Sequence, residues 1–304
     1  MMGDCRYCGK SAGFLRKEHK ECAASHEQGL GMIRKVCVDA ALHGVDVNVL
    51  TDKVRSIGAA AYIDTSGAAL DEALARGWGQ AVEAAMDDHF LSNEEKRALN
   101  RYRVQHNLSA DHLDGGGHFT LFRMMNLLNA LSEHGVAPRF DRRRVRPPFN
   151  LMKSEELLWM FGGTDYLEEV TKREFRGGSL GVSFRVAKGV YIRPGAFRGR
   201  SVATSSMQHT DSGILGITTK HIYFKGNRKS FRVRLEKIVS FDPYRDGLGI
   251  MRDTARAKPE VFRMGETDAW FLLNIIDAVM SMDSVRLPKA GDPTLDEIVD
   301  GELV

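Results

Sequence analysis

Asp211-Ser212-Gly213-Ile214-Leu215-Gly216-Ile217-Thr218-Thr219-Lys220-His221-Ile222-Tyr223-Phe224-Lys225-Gly226 is the stretch on which the fold class turns. Two apolar runs, at Ile214–Ile217 and Ile222–Phe224, are rich in β-branched and aromatic residues and too short for helices. A polar break separates them. Gly226-Asn227 then supplies a turn pair, and Phe231-Arg232-Val233-Arg234-Leu235 alternates apolar with polar, so it returns as the second arm of a hairpin.

The same period continues outward. Downstream, Ile238-Val239-Ser240-Phe241 ends at Pro243, Gly247-Leu248-Gly249-Ile250-Met251 follows, and then Val261-Phe262-Arg263-Met264. Upstream, Leu180 to Val186 alternates, and a Lys188-Gly189 turn leads into Val190-Tyr191-Ile192. These add up to about seven short strands. Trp270, Leu273, Ile276, Asp277 and Met280 then recur at helical spacing, with Phe271, Leu272, Ile275 and Val279 widening the apolar face. Antiparallel strands with one closing helix are the parts of a small barrel over residues 151–282.

The wording of the strands resembles a known family. Asp211-x-Gly213-x-Leu215-x-Ile217-Thr218-x-Lys220-x-Ile222-Tyr223-Phe224-x-Gly226 is similar to the strand pair of GRAM and bacterial PH-like domains. Lys237-Ile238-Val239, Asp246-Gly247-Leu248-Gly249-Ile250 and the helix residues Trp270-Phe271 fit the same family, and the likeness covers roughly residues 165–282. The resemblance implies a non-catalytic barrel that binds proteins, peptides or membrane phosphoinositides. It also implies basic loops facing the partner, here Arg185 and Lys188 near the first strands and Arg228 and Lys229 at the hairpin tip.

Before the β module, Pro138 to Pro148 holds Arg142, Arg143, Arg144 and Arg146 and closes on two prolines, which block a helix and mark a linker over 136–150. Such a cluster can grip phosphates of nucleic acid or anionic lipid, or simply pair with acidic patches. Residues 27–135 have the helical period. Leu30, Ile33, Cys37, Ala40 and Ala41 share one face, and Gly44 stops that helix. Ser92-Asn93-Glu94-Glu95 is a capping box, and Ser109 caps a later turn. The leucine and cap pattern from Leu91 to Ser109 resembles the helical bundles of tellurite-resistance-B-like domains. After Ser284 the chain turns acidic, which reads as a flexible tail over 283–304.

At the N-terminus, Cys5-x2-Cys8-x10-His19-x2-Cys22 sets two chelating pairs across a basic loop. Soft sulfur and imidazole donors at this spacing predict a tetrahedral Zn²⁺ site in a zinc knuckle or ribbon over residues 1–26. Four protein ligands fill the coordination sphere, so the expected zinc is structural rather than catalytic. His26 is the alternate to His19, and Cys37 reads as a small buried hydrophobe.

The chain has 304 residues, 43% hydrophobic and 27% charged, enough to bury a real core in about two domains. A net charge of +3 is too small for a general nucleic-acid binder, though local clusters can act alone. No apolar run reaches 18 residues, so no transmembrane helix is expected. Three cysteines inside a metal motif and one left over point to the cytoplasm. No phosphate-binding glycine loop, zinc-protease motif or catalytic carboxylate pair appears, and His209, Asp211 and Ser212 lack a nucleophile elbow. The expectation is therefore an α+β interaction or adaptor protein, not an enzyme. Its partner would be a protein or an anionic lipid, and no small-molecule substrate is identified. The alternative is a nucleic-acid accessory factor that uses the knuckle and the arginine linker.

Overall fold

The computed structural model describes residues 2–14, 16–86, 91–141, 145–173, 184–187, 190–192, 203–255, 257–281, 285–289 and 291–300. The chain divides into two compact units, Met1–Asn126 with Asp296–Val304, and Leu127–Leu295. Helices and a large antiparallel sheet make the class α+β.

The first unit begins with a small hairpin, β1 (Met2–Asp4) and β2 (Ser11–Phe14). Helices follow: α1 (Lys20–His43), α2 (Val47–Ala61), α3 (Gly67–Ala84), α4 (Asn93–Gln105), the single turn α5 (Ala110–Leu113) and α6 (His118–His134). The boundaries follow local chemistry. Asp46 accepts the amides of Asn48 and Val49 at the start of α2. At α4, Ser92 and Glu95 complete the expected capping box. Gly44 ends α1 at φ 76°, a backbone conformation open mainly to glycine. Ile33, Cys37, Ala40 and Ala41 of α1 are buried as the periodicity predicts, and Trp78 of α3 donates its indole N–H to the Leu99 carbonyl at 2.9 Å. Leu30, counted on the same α1 face, is instead exposed.

The second unit holds β3 (Leu157–Arg173), a separate hairpin of β4 (Phe184–Ala187) and β5 (Val190–Ile192), then β6 (Ala203–Thr218), β7 (His221–Gly226) and β8 (Ser230–Arg234). β9 (Ile238–Tyr244), β10 (Gly247–Arg252), β11 (Glu260–Arg263) and α7 (Glu266–Met280) complete it. Seven strands form one antiparallel sheet in the order β8-β7-β6-β3-β11-β10-β9. Two meanders thus meet at β3, which pairs with β6 on one side and β11 on the other. Tyr166 of β3 sits among Phe224, Phe231 and Phe262, with ring centroids 4.9–5.5 Å away. Phe271 of α7 packs edge-on against Trp159 at 5.1 Å.

Four expectations change. The sheet is not closed into a barrel: β8 and β9 stand at its two ends, unpaired with each other among the described residues. Its central strand is 157–173, a stretch the sequence reading left without a strand, while the expected first strand lies partly in the small β4–β5 hairpin and partly outside the described residues. The boundary between units falls inside α6 rather than at the Pro/Arg segment. The described part of the acidic end is also engaged. Arg286 and Thr294 bridge to Val136 and Arg139, and Leu295–Asp300 forms a short helix, α8, whose Val299 is buried. A buried valine and paired backbone anchor a segment whose charge alone suggested a free tail.

Candidate metal centre

The β1–β2 hairpin folds Cys5 and Cys8 back toward the start of α1. The Cys5 amide donates to the Lys10 carbonyl at 2.7 Å, and the Gly9 amide to the Cys5 carbonyl at 2.9 Å. Gly9 takes φ +70°, which lets the loop reverse within the chelating pair's own turn. On the other side, His19 is the N-cap of α1 and Cys22 lies in its first turn, so one helix start carries the second pair. The Arg6 amide holds the connecting loop through the Lys17 carbonyl.

The donors converge. One ligand atom from each of Cys5, Cys8, His19 and Cys22 lies within 4.8 Å of all the others. Nδ1 of His19 is 3.4 Å from Cys8 Sγ and 3.7 Å from Cys22 Sγ. Tetrahedral zinc, with bonds near 2.0–2.3 Å, requires donor separations of roughly 3.5–3.8 Å, so the tetrad has the right size. Nε2 of His19 lies 3.0 Å from the Ser11 carbonyl, which can only accept, so that nitrogen carries the proton and Nδ1 is free as a ligand. The His19 amide also donates to Cys5 Sγ at 3.4 Å.

The thiols are unequal. Burial opposes ionisation of Cys5, but donation from the Cys8, His19 and Tyr7 amides outweighs it and lowers its pKa to about 6. Burial, followed by the neighbouring thiols of Cys8 and Cys5, pushes Cys22 up to about 11. The same sulfurs, Cys22 first, hold the Tyr62 phenol above its ordinary range. Tyr62 reaches the site from the left-handed C-cap of α2. Sequence reasoning missed it, because nothing local links it to the cysteines. His26 is not part of the tetrad: its Nδ1 faces the Ala61 carbonyl at 3.1 Å and its ring packs on Tyr7. Cys37 is fully buried, and burial raises its thiol pKa to about 11, as fits an inert core side chain.

Of the basic residues expected to meet an anion, Arg146, Arg228 and Lys229 have described side chains. Arg142, Arg143, Arg144 and Lys188 lie outside the described residues, as does the side chain of Arg185 on β4. Arg146 and Arg228 are exposed. Lys229 is committed to Glu168 at 2.5 Å and lies over the Tyr166 ring. Asp211 is structural: it accepts the Arg228 and Lys229 amides at 2.7 and 2.8 Å and so pins the β7–β8 turn. His209 and Ser212 meet Asp165 instead, with the Ser212 hydroxyl donating to that carboxylate at 2.7 Å and His209 Nε2 2.8 Å from the same hydroxyl. The serine's proton therefore goes to the carboxylate rather than to the imidazole, the reverse of an activated nucleophile.

Among the described residues no helix is long and apolar enough to cross a membrane. No protein-family model, no curated protein and no solved structure matches this chain.

Proposed function

We propose that this chain is a non-catalytic cytoplasmic interaction protein whose N-terminal tetrad holds a structural Zn²⁺ and whose second unit is a PH-like docking module. The single observation that carries the metal half is the closure of the site. Three sulfurs and one imidazole nitrogen lie at mutual distances that fit a tetrahedral ion, and a four-ligand sphere has no position for substrate or water. Zinc there would supply folding energy to the β1–β2 hairpin and the start of α1, with Cys5, Cys8, His19 and Cys22 as its ligands.

The docking half is supported by the connectivity of the sheet. A four-strand set, β3-β6-β7-β8, and a three-strand meander, β9-β10-β11, join through the β3–β11 pair and a helix follows, which fits the seven strands and closing helix that the PH-like resemblance implies. Of the two partners the family resemblance implies, an anionic membrane surface is testable at once. Full-length protein is expected to sediment with phosphatidylserine vesicles at low ionic strength, and less so when Arg146 and Arg228 are both replaced by Glu. Equal sedimentation of the two proteins contradicts docking through these residues. A wild-type protein that ignores vesicles and retains no partner from its source cells contradicts the docking half altogether.

A further inference from the structure

A cavity of about 390 Å³ opens in the second unit at the β6–β7 turn, the end of β8 and the C-terminal end of α7. Its wall is mixed. Leu235, Val279 and Met280 are apolar, while Lys220 and Arg234 bring nitrogen donors, Glu236 a carboxylate and His221 a ring nitrogen. The size lies within the usual range for small-molecule sites.

The unusual member is His221, whose side chain is only 3% exposed. Its Nδ1 stands 2.7 Å from Oε2 of Glu155, a carboxylate with no exposed side-chain surface. Glu155 also accepts the Thr218 hydroxyl, the Tyr223 hydroxyl and the Met152 amide. Burial works against its charge, yet these donors together keep its pKa below the ordinary glutamate value. An ionised acceptor behind the ring requires the proton on Nδ1. That leaves Nε2, which has no hydrogen-bond partner among the described residues although the ring lines the cavity. No His221 nitrogen is among the sealed side-chain atoms that lack a hydrogen bond, so Nε2 is open to the cavity, where a ligand can meet it.

We propose that this cavity binds a phosphate monoester bearing a short apolar group, with His221 Nε2 hydrogen-bonded to the phosphate and Lys220 neutralising it. Lys220 is exposed, with no ion-pair partner among the described residues. Arg234 stands at the mouth, 2.9 Å from Glu236, and can share its remaining donors. A phosphate monoester has its second pKa near 6, so at neutral pH it is mostly a doubly charged acceptor, with a minor monoanion that can still donate. It can meet Nε2 in either protonation state of the ring, with Glu155 as the fixed counter-charge. A sulfate ester only accepts. Leu235, Val279 and Met280 would cover the apolar group. The site rests on the cavity alone and not on docking through Arg228, which lies beyond the other end of β7, ~16 Å along the strand.

The test is a titration of full-length protein, labelled with ¹⁵N-histidine, with hexyl phosphate, hexyl sulfate and vesicles containing phosphatidic acid. The His221 ring resonance should move saturably with hexyl phosphate. Replacing Lys220 and Arg234 together by Ala should weaken binding by about tenfold or more with unchanged circular dichroism. Hexyl sulfate should bind more weakly. A response to the vesicles but not to the dissolved ester still supports the site and identifies its ligand as a lipid head group. No His221 response to either phosphate source overturns the proposal, as does equal binding of the sulfate or an unaffected double variant. His221→Phe should abolish the effect. Should that variant fail to fold around Glu155, the exposed Lys220 and Arg234 still carry the test.

Discussion

His19 illustrates how much of a site one residue can organise. It stands at the N-cap position of α1, turns Nδ1 toward the sulfurs and fixes that choice by donating Nε2–H to the Ser11 carbonyl. Replacing it by Gln should lose the ion while leaving α1 intact, which metal analysis beside circular dichroism would detect. Asp211 offers a second test at this scale. Burial opposes its charge, but the amides of Lys229, Arg228 and Ser212 outweigh it and lower its pKa. A folded pKa below the unfolded one contributes stability that is present above the ordinary aspartate range and lost as pH falls through the folded value. The melting temperature of Asp211→Asn should therefore trail the wild type at neutral pH, and the gap should close in acid. A gap independent of pH would contradict this role. The tetrad was legible in the sequence because chelating pairs are local. The Glu155 cluster was not: its partners Thr218, His221 and Tyr223 lie 63, 66 and 68 residues along the chain, and no spacing rule reaches that far.

Elements differ in how loudly their sequence speaks. The helices announce themselves through caps and a repeated apolar face, and α1 and α4 stand where that pattern puts them. β3 was silent for a physical reason. Leu157 to Phe161 is a continuous apolar run, Gly162-Gly163 interrupts it, and Leu167-Glu168-Glu169-Val170 has helical spacing. In the sheet the two glycines form an irregularity between Phe161 and Thr164, with Gly163 at φ +65°, so the strand re-registers instead of ending. The polar stretch 203–210 is likewise a strand because β3 pairs with it, not because it is apolar. Helix packing yields a prediction with a built-in control. A Cβ on Gly77 of α3 would overlap the side chain of Cys37 of α1, whereas one on Gly31 meets nothing within 4 Å. Helix propensity alone favours Ala by about 1 kcal/mol at either site. Overpacking of a tight contact costs about 1–3 kcal/mol, so Gly77→Ala should lower stability in urea unfolding while Gly31→Ala raises it. Equal effects at both sites would contradict the close α1–α3 approach.

At the scale of the whole molecule, the chain joins a helical unit that carries the Cys5/Cys8/His19/Cys22 tetrad to an antiparallel sheet unit. Composition and period were enough to place it in the α+β class. Sheet closure was not legible, because closure depends on which strands end up at the edges. Pro243 reads in the sequence as the end of a strand, yet it lies within β9, and β9 is an edge strand, where a residue without an N–H is tolerated. If the tetrad is a folding element, a strong chelator should destabilise the first unit and leave the β-sheet signal of the second in place. The measurement that tests this account most directly is the metal content of the full-length protein and of its Cys5→Ala and Cys37→Ala variants, with melting curves before and after chelation. One tightly held zinc per chain is expected in the wild type and in Cys37→Ala. Cys5→Ala should hold none, and the first melting transition should fall whenever zinc is absent. Protein that carries no zinc, or that melts identically with and without it, would contradict the structural metal centre.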